Sequence, residues 1–431
     1  RPPACPAAVR VWRLVRLLMR RIAPRVLLAL AAAMSRVHAQ TSIFYENLPD
    51  NWDGTVARAE VVAIDMTGVG APDNHYLMGN YAPVLDEITE TSIQVTGSIP
   101  TDLNGLFLRN GPNPVDWVNP KKHHWFLGDG MLHGVRLDNG NALWYKNRRV
   151  LGNDSTANTS VISHAGHTYA IVEAGGYPVE IDGELNSLDT KPFYGDRTEG
   201  FTAHPKYDAD TGELHAICYD YGSDPNNVRY MVIDDAGRHK ETRAIPLPSK
   251  SMVHECAITQ QYVLLLDLPI TLDFYKIGRG YLPFSWNDAH QARVGLISRA
   301  DASADIKWFD IDPAYIFHTF NAHEDSAGRV VFEAAAYGRI FYQDWLGPFN
   351  EAPPLLKRYT LDIQSGKATV EQLDDRPIEF PRIHPDLYGK AYRYGYALGF
   401  STALRPDFQE IKKYDFKQGT SQTLVFGDGK M

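Results

Sequence analysis

The sequence predicts an all-β fold. Short apolar runs of strand length recur from about Ser42 onward. Turn signals separate them, namely Asn139-Gly140, Thr211-Gly212, Ala236-Gly237, Ala327-Gly328 and Ser365-Gly366. Glycine at such places accepts the positive φ that a tight hairpin requires. No long amphipathic helical pattern interrupts the stretch. A repeat of fixed length is not visible, so periodicity leaves sandwich, barrel and propeller open.

In chain order, residues 1–41 stand apart. Arg1 to Gln40 is rich in Arg and Ala and contains no acidic residue. Arg20, Arg21 and Arg25 precede the apolar residues 26–34, and Val37-His38-Ala39 reads as a cleavage site. The segment is therefore targeting-like, secretory or organellar, or else the residues before Met34 are an artefact. Its apolar run is too short to span a bilayer. Residues 42–431 read as one β domain. Strands are expected at 214–219, 262–268, 294–298, 306–309, 330–333 and 355–361.

With 44% hydrophobic and 22% charged residues, the 431-residue chain has an ordinary globular composition. A net charge of -9 offers no basic face for phosphates and argues against a nucleic-acid partner. Cys5, Cys218 and Cys256 form no Cys-x-x-Cys pair and are too few for a disulfide framework. A reducing, cytoplasmic setting fits best, with export left open by the N-terminal segment.

Three histidines sit in distinct motifs: His204 in Phe-Thr-Ala-His-Pro-Lys, His254 in Met-Val-His-Glu-Cys-Ala-Ile-Thr, and His318 in Phe-His-Thr-Phe-Asn-Ala-His-Glu. A lone histidine among 15 is usually a surface or core residue. These three each follow or interrupt a strand-like run, which lets each project from a strand's inner end toward one point. Neutral imidazole is a common ligand for divalent transition metals. Upstream lie Arg-Asn-Gly-Pro-Asn-Pro at 109–114 and His-Trp-Phe-Leu-Gly-Asp-Gly-Met-Leu-His at 124–133. Both read as turn-forming segments. In this order the motifs resemble those of the carotenoid cleavage oxygenases, the family that includes the stilbene-cleaving dioxygenases. The resemblance runs from about Gly79 to the C-terminus.

The resemblance implies a seven-bladed β-propeller with a metal on its axis under a cap of loops and helices. It implies four histidines holding Fe(II), with positions left for O2. His204, His254 and His318 match the first three. The fourth, expected in a Pro-x-Gly-Phe-His-like segment, has no match before Met431, so the last blade or blades are expected to be missing. His323 would be the first substitute to test. Glutamates hold the ligating imidazoles in this family; Glu173 and Glu379 match two of them, and a third would lie past Met431. Glu255-Cys256 stands where Asp-Phe is commoner, and Leu127 where Asp is commoner. His164, His167, His215 and His384 read as loop or strand-edge residues.

The function so implied is an Fe(II)-dependent dioxygenase that splits a conjugated C=C bond of a carotenoid or apocarotenoid into two carbonyl products. No catalytic residue beyond the metal site is called for. The alternatives are a stilbenoid-cleaving dioxygenase of the same family, a non-catalytic propeller that binds an apolar ligand, and a zinc hydrolase. The last lacks a carboxylate placed as a general base. The partners are an apolar polyene or stilbenoid and O2. The aromatic residues 274–286 edge a substrate tunnel, touch a membrane surface peripherally, or pack between blades.

Overall fold

Hairpin turns set the architecture. The computed structural model describes residues 74–425 apart from 115–117, 153–156, 191, 196–199, 278, 302, 349–350 and 401–407, together with two short strands upstream. The targeting-like residues 1–41 lie outside the described residues. The chain divides into two units. One takes Arg1–Leu85 and Pro114–His123, and in it β1 (Ile43–Phe44) pairs antiparallel with β2 (Val62–Ala63). There the buried Asn74 side chain donates to the carbonyls of Pro120 and His123 at 2.9 and 2.7 Å.

The other unit takes Asp86–Asn113 and His124–Met431 and is built from successive antiparallel sheets. Blade 1 holds β3 (Thr89–Glu90), β4 (Gly105–Asn113), β5 (Asp129–Asp138) and β6 (Asn141–Arg149), ordered β3-β6-β5-β4. Blade 2 holds β7 (Ser160–His164), β8 (His167–Ile171) and β9 (Val179–Ile181). Blade 3 is β10 (Lys206–Asp208), β11 (Glu213–Tyr219), β12 (Asn227–Ile233) and β13 (His239–Pro246). In blade 4, β14 (Cys256–Ile258) and β15 (Tyr262–Asp267) are followed by an inserted hairpin, β16 (Ile270–Leu272) and β17 (Phe284–Trp286). The blade then resumes with β18 (Arg293–Ser298) and β19 (Lys307–Asp310). Blade 5 is β20 (Tyr315–Glu324), β21 (Val330–Tyr337), β22 (Leu355–Asp362) and β23 (Lys367–Gln372). Blade 6 is β24 (Ile378–Arg382), β25 (Tyr394–Gly399), β26 (Glu410–Asp415) and β27 (Thr420–Val425).

The first strands of blades 3 to 6 pack against one another in sequence, β10 on β14, β14 on β20 and β20 on β24. This is the arrangement of a β-propeller. The described residues form six blades, not the seven expected. The strands from Thr89 to Val425 supply only six such meanders, and the figure of seven came from resemblance rather than from strand signals. Among the described residues the helices are 3-10 turns of three or four residues. No described helix is long and apolar enough to cross a membrane.

In blade 5 burial falls from the inner strands outward. All eight residues of β21 are buried, whereas most of β23 is exposed. A strand covered on both faces shows no alternation of burial, as at 330–337, where even Glu333 is buried and paired with Arg358. The main core runs from Ile217 in blade 3 through Leu264 and Val294 in blade 4 to Phe332 and Leu361 in blade 5. Each such side chain contributes about 1.5–3 kcal/mol relative to exposure.

The predicted hairpins form. Asn139 and Gly140 both have positive φ, 43° and 78°, between β5 and β6. Residues 109–114 do not make a turn: Arg109 to Asn113 end β4, with Gly111 opposite Met131 and Pro112 opposite Gly130. Proline is admitted because β4 is the edge of its sheet and needs no further N–H. Asp129 and Gly130 begin β5 rather than a turn. Glycine is required at 130 by close approach, since a Cβ there would lie 2.2 Å from the Ala157 carbonyl oxygen. His215 is not at a strand edge; it is buried within β11 and meets the Tyr230 hydroxyl at 2.9 Å through Nδ1.

Candidate metal centre

Each of the three motif histidines comes from a different blade. His204 is followed by Pro205, which biases it to extended backbone, and stands two residues before β10. His254 precedes β14 by two positions. His318 lies within β20, where the register with β21 shifts on both sides, between Ile316 and His318 and between Thr319 and Asn321. Such irregularities re-aim side chains.

One ligand atom from each of the three lies within 4.8 Å of the others. Ring centroids are 4.5 Å apart for His204 and His254, 5.0 Å for His204 and His318, and 5.2 Å for His254 and His318. Among the described residues this is the group of His, Cys, Asp and Glu able to share an ion.

Two carboxylates orient the rings. Glu173, just after β8 in blade 2, meets His254 Nδ1 at 3.0 Å through Oε2. Glu379, on β24 in blade 6, meets His318 Nδ1 at 2.7 Å. With Nδ1 so engaged, Nε2 of each ring is left for the shared centre. Glu379 also accepts from the Tyr337 hydroxyl at 3.0 Å and from the Phe380 backbone N–H. His204 Nε2 is buried and has no hydrogen-bond partner among the described residues.

Burial, then the neighbouring His254 and His318, push the His204 pKa well below its ordinary value, so it is neutral and its lone pair is available. For His254, burial is the largest single influence and pulls downward, but the carboxylates of Glu173, Glu255 and Glu379 together outweigh it and the pKa is raised. Three converging imidazoles, two held by carboxylates and one with an unpaired buried nitrogen, fit a divalent transition-metal ion.

Two apolar rings pack against the histidines, and two more pack against one of those rings. Phe317 meets His254 edge-on at 5.2 Å, and Phe380 lies 5.0 Å from His318. Phe126 and Phe341 pack edge-on against Phe317 at 5.9 and 6.5 Å. Phe341 and Phe380 both hold positive φ, 54° and 51°, a strain that clusters at functional sites.

His323 does not join the three. It lines a separate cavity of about 320 Å³ with Asp325, Arg329, Glu333, Arg358 and Tyr392. Five residues along an extended strand carry it on the order of 15 Å from His318. Another cluster brings together Ser251, His290 and Asp267, the residue types of a hydrolytic triad. There the same His290 Nε2 meets both Asp267, at 2.9 Å, and Ser251, at 3.5 Å, while the serine hydroxyl donates to Asp267 at 2.6 Å. A nucleophile's base needs its two nitrogens on different partners, so this cluster is structural.

The sequence did not reveal Tyr337 or the buried residues beside the three histidines in the chain, Lys206, Glu255 and Thr319. The available signal was proximity, since each of the last three follows a motif histidine by one or two positions.

The family model described as retinal pigment epithelial membrane protein matches residues 81–431. A carotenoid cleavage oxygenase of Mycobacterium tuberculosis is 37% identical over 389 residues, covering 76% of this chain and 77% of its own. The chain belongs to the carotenoid cleavage oxygenase family. Within this family, a carotenoid 9,10(9',10')-cleavage dioxygenase of Crocus sativus is 30% identical over 376 residues, covering 75% of this chain and 68% of its own. The crystal structure of a Pseudomonas brassicacearum lignostilbene dioxygenase superposes with a TM-score of 0.74 at 26% identity, covering 84% of this chain and 85% of its own. The chain is thus an oxidoreductase of the dioxygenase class on the propeller fold of the carotenoid oxygenases.

Proposed function

We propose that this chain binds Fe(II) through His204, His254 and His318 and uses O2 to split a conjugated C=C bond of a carotenoid or apocarotenoid. One oxygen atom would pass to each of the two carbonyl products. The observation that carries the reading is the meeting of three buried motif imidazoles, two of them held by Glu173 and Glu379, within a family of this activity. Bound iron supplies the activation of O2. The protein's own residues do the rest. Glu173 and Glu379 fix the tautomers of His254 and His318 and offset part of the ion's charge. Phe126, Phe317, Phe341 and Phe380 offer an apolar wall that positions a polyene and excludes water.

The test is metal content together with product analysis under ¹⁸O2. Purified protein is expected to carry iron and to give labelled aldehydes or ketones from a carotenoid or apocarotenoid. His254→Ala should lose both iron and activity while staying folded. Normal iron content in that variant would remove His254 from the centre. The likeness to the lignostilbene dioxygenase keeps a stilbenoid substrate as the second reading. Cleavage of hydroxystilbenes alone under matched conditions would replace the first. Protein that binds carotenoid but takes up neither iron nor O2 would instead be a non-catalytic propeller holding an apolar ligand.

We further propose peripheral contact with membranes through the β16–β17 hairpin of blade 4, in a reducing compartment that suits a chain with three cysteines and no Cys-x-x-Cys pair. Phe274, Tyr275 and Ile277 at its tip are 69%, 71% and 40% exposed, whereas Phe284 and Trp286 on β17 are buried in the core. Arg279 lies over the Tyr275 ring at 4.3 Å. Lys276 is turned inward, donating to the Phe284 carbonyl at 3.0 Å. The hairpin thus combines buried roots with an aromatic tip suited to an interface.

A further inference from the structure

Behind the three imidazoles lies a second buried cluster, and we propose that it fixes their spacing. Lys206 stands two residues after His204, Glu255 one after His254 and Thr319 one after His318. The Lys206 ammonium pairs with Glu255 Oε1, and the two side chains are 5% and 0% exposed. Thr319 donates to the same carboxylate twice, from its backbone N–H to Oε2 at 3.2 Å and from its hydroxyl to Oε1 at 2.8 Å. Above the lysine lies the Tyr388 ring, 5.2 Å from Nζ. One carboxylate is therefore the node at which the ligand-bearing segments of blades 3, 4 and 5 are tied.

The hydrogen bonds of Glu255 run to Lys206 and Thr319 rather than to an imidazole. Glu255 is in this way unlike Glu173 and Glu379, which touch the rings. It acts on backbone position, and a ligand set must be held within a fraction of an ångström to keep one coordination geometry. A buried ion pair is not needed for stability, because neutral side chains of similar volume often pack as well. The pair supplies directional bonds at the three points where backbone position matters most. Lys206, Glu255 and Thr319 are positioning residues for the metal, an assignment that rests on the metal reading above.

The test separates positioning from folding by using Co(II) as the probe in the full chain. Lys206→Met and Glu255→Gln singly each leave an uncompensated buried charge or a stranded partner and should lower the melting temperature. The double variant K206M/E255Q removes the charge from both sides and should melt close to wild type. Its Co(II) affinity, measured by chelator competition, should still fall about ten- to a hundredfold, the range seen for residues that support metal ligands. Its visible d–d absorption should shift as well. Thr319→Val, which removes one hydrogen bond and no charge, should move affinity and spectrum in the same direction by less. If K206M/E255Q or Thr319→Val folds and binds Co(II) with wild-type affinity and spectrum, the cluster is merely structural and the proposal is wrong. Wild-type protein that takes up no Co(II) would overturn the metal reading itself, and this proposal with it.

Discussion

At Glu173 the choice of one atom decides which nitrogen of His254 is free, because the carboxylate holds the Nδ1 side of the ring at 3.0 Å. Glu173→Gln preserves shape and one acceptor but removes the charge. We expect metal affinity to fall about ten- to a hundredfold, with the fold retained. Chelator competition checks this, and an unchanged affinity would make Glu173 a structural residue. That the three histidines would meet is legible because each lies in a distinctive motif, and that Glu173 and Glu379 would meet two of them because resemblance points to them. Glu255 was not legible. A glutamate beside a ligand reads as a surface carboxylate, and its partner Thr319 is 64 positions away in sequence. Only the packing of one blade on the next brings them together.

Strands and hairpins were read well where a turn signal bounded an apolar run. The segment expected at 262–268 is β15, and that at 355–361 is β22. The exceptions are β4, where Gly111 and Pro112 suggest a turn, and the start of β5 at Asp129 and Gly130. Proline is excluded from strand interiors but not from a sheet edge, and a single sequence does not say which strand is the edge. The β16–β17 hairpin was half legible: its aromatic content was plain, but not that Phe284 and Trp286 turn inward while Phe274 and Tyr275 turn out. The double variant F274S/Y275S should sediment less with phospholipid vesicles than wild type and keep the same melting temperature. Equal sedimentation would assign the hairpin tip another role.

For the whole molecule, buried histidines contribute to the response to acid between pH 7 and 5. His215 is held down to about 4, by burial first and by Arg299 second. Its pKa in the unfolded chain is near the ordinary 6.5, so between those values the unfolded chain takes up a proton that the native state does not. Stability is therefore fully present above about pH 6.5 and is lost as pH falls toward 4, by at most about 1.4 kcal/mol per pH unit for this residue. Melting temperatures from pH 7 to 5 should fall less steeply for His215→Gln than for wild type. Parallel slopes would show that His215 does not carry the effect. The blade count was the least legible property at this scale, because blades of unequal strand length leave no fixed repeat to count.

The three converging histidines belong to consecutive blades, each standing just before the first strand or within it. An ion held between them closes two long loops of chain at once, as a crosslink would. It should join blades 3, 4 and 5 into one cooperative opening unit, with a gain that grows as RT ln(1 + [M]/Kd). Amide hydrogen exchange in β11, β15 and β21 should then slow together when metal is added, while β5 in blade 1 changes little. Metal-independent exchange in all four strands would show that the blades hold together without it. If the expected pattern appears, release of the ion is the earliest sign that any one of the three blades has begun to part from its neighbour.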